Sequence, residues 1–248
     1  MNWRIIDEGT YSEAVQQALE EVLTNRLDGG EMDPTFRVWY RDRRAVPMGR
    51  FQAFEDEVAT DYVADHDIDV VRRITGGGAM YVEPEKVITY SMYVPRSEVP
   101  DDIEESYATL DRWVIDALRD IGLEVEHEPL NDVSHPDGKI GGSAQLRTGD
   151  AVLHHTTMSY DLDTKEMLRV LRIGEDKISD KAVQSAEKRV AVMRDYVDET
   201  REAVIEALID AFQDTYGGTV GMLTDEELSA ARELAAEKFE TDEWNRRL

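Results

Sequence analysis

The chain contains no cysteine in its 248 residues. That excludes disulfides, thiolate–zinc sites and any cysteine nucleophile. Lysine is scarce as well: Lys86, Lys139, Lys165, Lys177, Lys181, Lys188 and Lys238 are the only ones, so the basic side chains are mostly arginine. No stretch approaches the ~18–20 apolar residues that a membrane span needs. The opening Met1-Asn2-Trp3-Arg4-Ile5-Ile6-Asp7 lacks the apolar core of a signal peptide. The expectation is a soluble, cytoplasmic protein with no membrane contact.

What is abundant is acid. Against 28 Lys and Arg stand 54 Asp and Glu, a formal charge of −26. A surface of that sign repels phosphates and lacks the cations whose counterion release drives nucleic-acid binding, so nucleic acid is excluded as a partner. The acid is spread along the whole length, and aromatic and branched residues recur between it, so this is not a disordered acidic tract. A solvated acidic face accounts for the pattern. Its extent also suits a halophile's salt-loaded cytoplasm, where the Debye length shrinks to ~3 Å near 1 M and self-repulsion is relieved. Dialysis into low salt is then expected to unfold the protein; a cooperative melting transition by circular dichroism that survives in low salt would contradict this.

The length suits a single domain over residues 1–248. Ala14, Val15, Ala18, Leu19, Val22 and Leu23 form a helical stripe, with Thr10-x-x-Glu13 reading as its capping box and Asp28-Gly29-Gly30 as its stop. Phe36–Tyr40 reads as a strand followed by a turn near Pro47 and Gly49, and Val58–Val63 as a short helix. Val70-Val71, Val87–Val94 and Leu123–Glu126 read as strands, as do Lys139–Leu146 and Ala151–Tyr160, the last two joined as a hairpin. Ile103–Ile121 is the clearest amphipathic helix, ended by Gly122. Two helices close the chain, one carrying Val204–Phe212 and one opening with the capping box Thr224-x-x-Glu227. Strands in the middle with helices around them predict an α+β class with a mixed, mainly antiparallel sheet.

Three segments carry chemistry. In Arg72-Arg73-Ile74-Thr75-Gly76-Gly77-Gly78-Ala79, a strand runs into three glycines, which can turn successive amides toward an anion while the arginines supply charge; a structural glycine turn is the alternative. The second pairs Asn131-Asp132 with Lys139-Ile140-Gly141-Gly142-Ser143-Ala144, a lysine within an apolar, glycine-rich strand. It is either a functional cation whose desolvation a partner anion offsets or a surface lysine on a hairpin. The third is His154-His155-Thr156-Thr157, where strand alternation lets at most one histidine face a given pocket and leaves the other in the core or at the surface. A zinc site is a poor fit, because no histidine shows ligand spacing.

Taken in order, these segments resemble the lipoate–protein ligase family, whose pattern runs Arg-Arg-x-Ser/Thr-Gly-Gly-Gly-Ala-Val-x-His, Asn-Asp, Lys-x-Ser-Gly-Ser-Ala and His-His-x-Thr. Gly49-Arg50-Phe51-Gln52 is similar to the family's Gly-Arg-x-Gln, Trp39 stands where a pocket aromatic is usual, and Ser185–Val190 and Asp242-Glu243-Trp244-Asn245 are similar to its late segments. The resemblance implies a biotin/lipoate-ligase-type fold and a two-step reaction. Lipoate and MgATP give lipoyl-AMP, and the acyl group then passes to a lysine of an acceptor. The acceptors it implies are lipoyl domains of 2-oxoacid dehydrogenase complexes or the glycine-cleavage H protein.

Carried onto this chain, Lys139 is the catalytic cation, bridging the α-phosphate and the lipoyl carboxyl and then stabilising the tetrahedral intermediate. Arg72, Arg73, Thr75, Gly76, Gly77, Gly78 and Ala79 hold phosphate and acyl groups. Asn131 or Asp132 binds ATP or its Mg2+, with Asp132 the metal candidate. Gly142, Ser143, Ala144, His155 and Thr157 complete the binding set, and Trp39 lines the lipoyl tunnel.

The chain departs from the pattern at Val82 (for His), Gly141 (for Ser) and Ala53 (for Asn), which bears on acyl specificity and rate. Octanoyltransferases and lipoyl amidotransferases of the superfamily work through an acyl-cysteine thioester, a route closed to a chain without a thiol. An adenylate-forming ligase needs none. The chain stops four residues after Trp244, where many family members continue into a small C-terminal domain, so the expectation is a catalytic half whose accessory domain is a separate subunit. The alternatives are a transferase using preformed lipoyl-AMP and a non-catalytic acyl-binding subunit.

Overall fold

The computed structural model describes residues 1–172 and 190–248; Ser185–Arg189, one of the late segments of the resemblance, lies outside them. A nine-stranded sheet organises the chain. It is built from β1 (Arg4–Ile6), β2 (Thr10–Tyr11), β3 (Thr35–Arg41), β6 (Val87–Pro95), β7 (Glu126–Glu128), β8 (Asp132–His135), β9 (Gly138–Arg147), β10 (Ala151–Ser159) and β11 (Thr219–Gly221). The main path runs β11-β1-β3-β6-β10-β9-β8-β7, with β2 beside β3. Pairing is antiparallel from β3 through β7, while β11, β1 and β3 run parallel. A separate parallel pair, β4 (Ala45–Met48) and β5 (Asp69–Arg72), carries the glycine loop. The α+β class with a mixed, mainly antiparallel sheet is the observed architecture.

Helices cover both faces of the sheet. On one side α4 (Ile103–Asp120) and α6 (Arg201–Tyr216) close a core around Trp3, Phe36, Tyr90, Trp113 and Phe212. On the other, α1 (Glu13–Asp28) and α7 (Asp225–Leu234) pack around Leu19, Leu23, Tyr93, Leu153 and Phe239. All nine residues of β10 are buried, as expected of a strand covered on both faces. The short helices α2 (Phe54–Glu57), α3 (Thr60–Asp65) and α5 (Thr164–Val170) pack with the β4–β5 pair around Val46, Met48, Phe54 and Val170, and α8 (Asp242–Asn245) closes the chain. Among the described residues no helix is long and apolar enough to cross a membrane.

Local chemistry sets the helix ends. Asp102 caps α4 by accepting from the Glu105 amide at 2.9 Å, and Gly122 at φ +95° ends it. Thr224 and Glu227 form the expected capping box of α7, and Glu227 also takes a bidentate contact from Arg4 at 2.8 and 3.0 Å. Four expectations need correction. Thr10 lies in β2, and the cap of α1 is Ser12, which accepts from the Val15 amide. Pro47 sits within β4 rather than in a turn; its carbonyl accepts from Met80, and its lack of an N–H is tolerated in a two-stranded edge. The helix expected over Val58–Val63 is broken at Val58, between α2 and α3. Leu123 and Val125 fill the core from a loop, the strand starting only at Glu126.

Candidate active site

β5 delivers its chain straight into the glycine loop, and the Gly49–Gln52 turn holds that loop from behind. The Arg50 amide donates to the Thr75 carbonyl at 2.9 Å, and the Gln52 side chain accepts from the Gly49 amide at 2.8 Å. Only glycine fits at Gly49, because a Cβ there would lie 1.9 Å from the Gly77 carbonyl oxygen. Gly77 itself sits at φ +95°. Gly77 and Gly78 are exposed, and among the described residues the amides of Gly76, Gly77, Gly78 and Ala79 donate to no protein acceptor. Four successive free amides on an open loop make a cradle for an anion.

The two arginines before the loop divide. Arg73 donates to the Gly76 and Gly78 carbonyls at 2.5 and 3.2 Å, closing the loop from inside, and its buried Nε has no partner among the described residues. Burial pushes its guanidinium down to about 10. Arg72 is wholly buried and donates to five carbonyls: Gly49, Arg50, Gln52, Trp244 and Asn245. Its donors are committed to tying the Gly49–Gln52 turn and the Trp244-Asn245 segment to β5.

Across the site, Lys139 in β9 folds back over Gly142 and donates to Asp132 Oδ1 at 2.6 Å. Gly142 pairs with Asp132 in register, and a Cβ on it would lie 2.7 Å from the Lys139 Nζ. Glycine leaves room for the lysine as it stands here; a methyl group would push the end of that side chain aside. Asn131 is hooked to the same strand, its side-chain amide donating to the Ser143 carbonyl at 2.5 Å while its own carbonyl accepts from the Ser143 amide. Gly141, where the family pattern has serine, is packed so closely that a Cβ would meet Met158 Cγ at 2.6 Å. Lys139 and the end of the glycine loop share one cavity of about 250 Å3, walled by Ala79, Met80, Ile140, Met167 and Leu171. Its wall is mainly apolar and its cation stands beside the amide cradle, as an acyl chain with an anionic head requires.

The histidines occupy opposite faces of β10, and both are buried. His154 faces α4, where its Nε2 lies 2.7 Å from Asp111 Oδ1. The Ser143 hydroxyl donates to the same carboxylate at 2.9 Å, on the face away from the loop. His155 faces α1, with Nδ1 2.9 Å from Glu20 Oε2 and Nε2 3.1 Å from the Thr75 hydroxyl, so it ties the residue before the glycines to a buried carboxylate. Burial holds His155 below its ordinary value, hence neutral, donating from Nδ1. Ala144 stands opposite His155 in the sheet and Thr157 opposite Gly142, with the Thr157 hydroxyl 3.0 Å from that of Thr89.

Trp39 is buried rather than lining the cavity. Its indole donates to Ser91 at 2.8 Å and is flanked by Arg37 and Arg41 at 4.7 and 4.9 Å. A buried ionic layer not anticipated from the sequence lies between α1 and the sheet. Glu20 accepts from Ser91, Tyr93, Arg37 and His155, and Glu13 pairs with Arg41 at 2.6 Å. Burial alone would raise Glu20, but the donors from His155, Arg37 and Tyr93 outweigh it and hold the carboxyl below the usual range. The signal available was the strand Arg37-Val38-Trp39-Tyr40-Arg41, whose charges alternate onto one face.

Among the described residues no group of three His, Asp or Glu side chains is placed to hold a metal. Asp132 fits a Mg2+ only as the single protein carboxylate beside substrate phosphates, the usual arrangement for that ion.

The family model for the lipoyl protein ligase A/B catalytic domain matches residues 12–213. The chain is 35% identical over 240 residues to lipoate-protein ligase A subunit 1 of Thermoplasma acidophilum, covering 92% of this chain and 90% of that one. It is 29% identical to the octanoyltransferase LipM of Kyrpidia tusciae over 99% and 98% of the two chains. Among solved structures, one of a bi-partite lipoate protein ligase and its E2 lipoyl domain from T. acidophilum superposes with a TM-score of 0.86, at 31% identity over 99% and 96% of the chains. A lipoate-protein ligase A bound with ATP gives 0.84 at 29% identity over 99% of each chain. A structure from T. acidophilum with bound lipoic acid gives 0.83 at 28% identity over 100% of each chain.

Proposed function

The chain belongs to the lipoyl protein ligase A/B catalytic-domain family, and from that membership we propose that it is an ATP-dependent lipoate–protein ligase. It activates lipoate as lipoyl-AMP and passes the lipoyl group to a lysine of an acceptor lipoyl domain. The observation that carries this is Lys139, held by Asp132 at an apolar cavity beside four free amides, in a chain with no thiol. The octanoyltransferase relatives leave acyl transfer open as a chemistry, but a thioester route needs a cysteine that this chain does not have.

In the first step the lipoate carboxylate attacks the α-phosphorus of ATP and pyrophosphate leaves. Two anions must approach, and the Lys139 ammonium together with the amides of Gly76–Ala79 offsets their repulsion. Arg73 holds the cradle in shape. A bound Mg2+ would add charge neutralisation on the phosphates, with Asp132 as its protein contact. In the second step the acceptor lysine amine attacks the acyl carbon, AMP leaves, and Lys139 stabilises the oxyanion.

The relatives described as a ligase subunit and as a bi-partite ligase support a second reading, in which activation needs a separate partner subunit and the chain alone is a lipoyl-AMP-dependent transferase. The test is the intact mass of a purified apo-lipoyl domain after incubation with the chain, lipoate, ATP and Mg2+ in molar KCl. An ATP-dependent gain of one lipoyl group is the expected result. A gain only from synthetic lipoyl-AMP would favour the second reading, and none from either would overturn both.

A further inference from the structure

Beside the glycine loop the acidic surface gives way to a small basic and apolar face. Phe51 is 76% exposed and Leu248 56%, two of the most exposed large apolar side chains described. They are joined through the backbone, where the Phe54 amide donates to the Leu248 carbonyl at 3.1 Å, and Arg247 donates to the Arg50 carbonyl at 2.9 Å. The Arg50 guanidinium lies 5.8 Å from the Phe51 ring, and that of Arg247 lies 4.2 Å from the Trp244 ring.

Neither Arg50 nor Arg247 makes an ion pair among the described residues, although surface arginines elsewhere do. Arg43, Arg96, Arg112, Arg119 and Arg169 each sit within 4.0 Å of an acid, and next in the chain Arg246 pairs with Asp242 at 3.1 Å. Partial burial and the charge of Arg50 push the Arg247 guanidinium below its ordinary value, as expected of two cations without a counter-ion between them. Acid resumes at Glu55 and Asp56 in α2, so the basic area is local.

Resting on the reading above, we propose that Arg50, Phe51, Arg247 and Leu248 form the docking face for the acceptor protein, which meets it with acidic side chains around its target lysine. Charge selects the occupant. With a formal charge of −26 the chain as a whole repels an acidic partner, and this face attracts one. Position selects it too, because the Phe51 ring lies 3.9 Å from where a Cβ on Gly76 would stand. The target lysine is thereby brought to the rim of the loop that cradles the acyl adenylate. Phe51 supplies the apolar anchor that such an interface centres on.

The experiment is a fluorescence anisotropy titration of labelled apo-lipoyl domain with the wild-type chain and with Arg247→Glu/Leu248→Ser, without ATP or lipoate. It is run at the lowest salt in which both melt cooperatively. Lipoate-dependent ATP–pyrophosphate exchange is measured in parallel. The double variant is expected to weaken the domain's Kd about tenfold or more with exchange unchanged, and wild-type binding to weaken as salt rises. An equal Kd for both proteins, or no wild-type binding, overturns the proposal. Weakened exchange with unchanged domain binding also overturns it, by assigning the arginines to nucleotide phosphates. Absence of exchange and transfer in the wild type would remove the ligase reading while leaving the Kd comparison decisive for the docking face.

Discussion

Lys139→Ala will lower lipoyl transfer by about 100- to 1,000-fold in kcat while leaving the fold in place, the loss typical of removing one preorganised stabiliser of a developing oxyanion. Its side chain is 42% exposed, and its bond to Asp132 is a half-exposed ion pair of the kind that contributes at most about 1 kcal/mol. The melting temperature should therefore fall by no more than about 4 °C. Both half-reactions should suffer, because one ammonium serves the anionic approach in activation and the oxyanion in transfer. Gly142→Ala is the sharper companion. It keeps the lysine but places a methyl group 2.7 Å from Nζ, so it should displace the ammonium from Asp132 and cost activity without removing a charge. Single-turnover transfer from synthetic lipoyl-AMP, with ATP–pyrophosphate exchange beside it, reads both steps. Unchanged transfer in Lys139→Ala would remove Lys139 from the chemistry, and full activity in Gly142→Ala would show that its pairing with Asp132 is dispensable.

What was legible in the sequence is what lies close together along it. The glycine loop, the Asn131-Asp132 and Lys139 segments and the β9–β10 hairpin all survive because each is a short continuous stretch whose residue types report its chemistry. The roles of Arg72 and Arg73 were not legible. Neighbours at a strand's end point to different sides, and only the end of β5 at Arg72 decides that Arg73 closes the loop while Arg72 ties the backbone behind it. The setting of Trp39 was not legible for the same kind of reason: its face of β3, shared with Arg37 and Arg41, lies under α1, which no local pattern reveals. β1 and β11 have three residues each, too few for a periodicity, and they pair Arg4 with Thr219 across almost the whole chain. The buried ionic layer joins residues as distant as Glu20 and His155, so its members read singly as surface charges until the sheet assembles them.

That layer carries the largest stability effect expected in the molecule. Glu20 is 0% exposed and the counter-ion of Arg37, which is 1% exposed. Glu20→Ala would leave Arg37 with the Gln16 side-chain oxygen at 2.5 Å, a long contact to the Gln16 carbonyl and the neutral Tyr93 hydroxyl, and no anion bonded to it among the described residues. Breaking a buried pair from one side costs about 3–5 kcal/mol, because the remaining charge stays desolvated. In a chain of this size that corresponds to a melting temperature lower by roughly 6–20 °C. Glu20→Gln should fall between, since it still accepts hydrogen bonds but no longer neutralises Arg37. The pH dependence has a definite sign. Glu20 is held below the usual carboxylate range, so its contribution is present above that range and lost as pH falls through its folded value. His155 is held below its ordinary value by burial, so its neutral form is also favoured by folding, and acidification from about 6.5 downward destabilises through it as well. Wild-type melting temperature should thus decline steadily on acidification. His155→Gln should flatten the part nearest neutrality, and Glu20→Ala the part in the carboxylate range. Because His155 reaches Thr75, directly before Gly76, Glu20→Gln should also loosen the anion cradle and raise the apparent KM for ATP. Thermal melts between about pH 3 and 7.5, with ATP titrations near neutrality, test both consequences. A Glu20→Ala protein as stable as wild type would mean that the layer is solvated enough for Arg37 to stand alone.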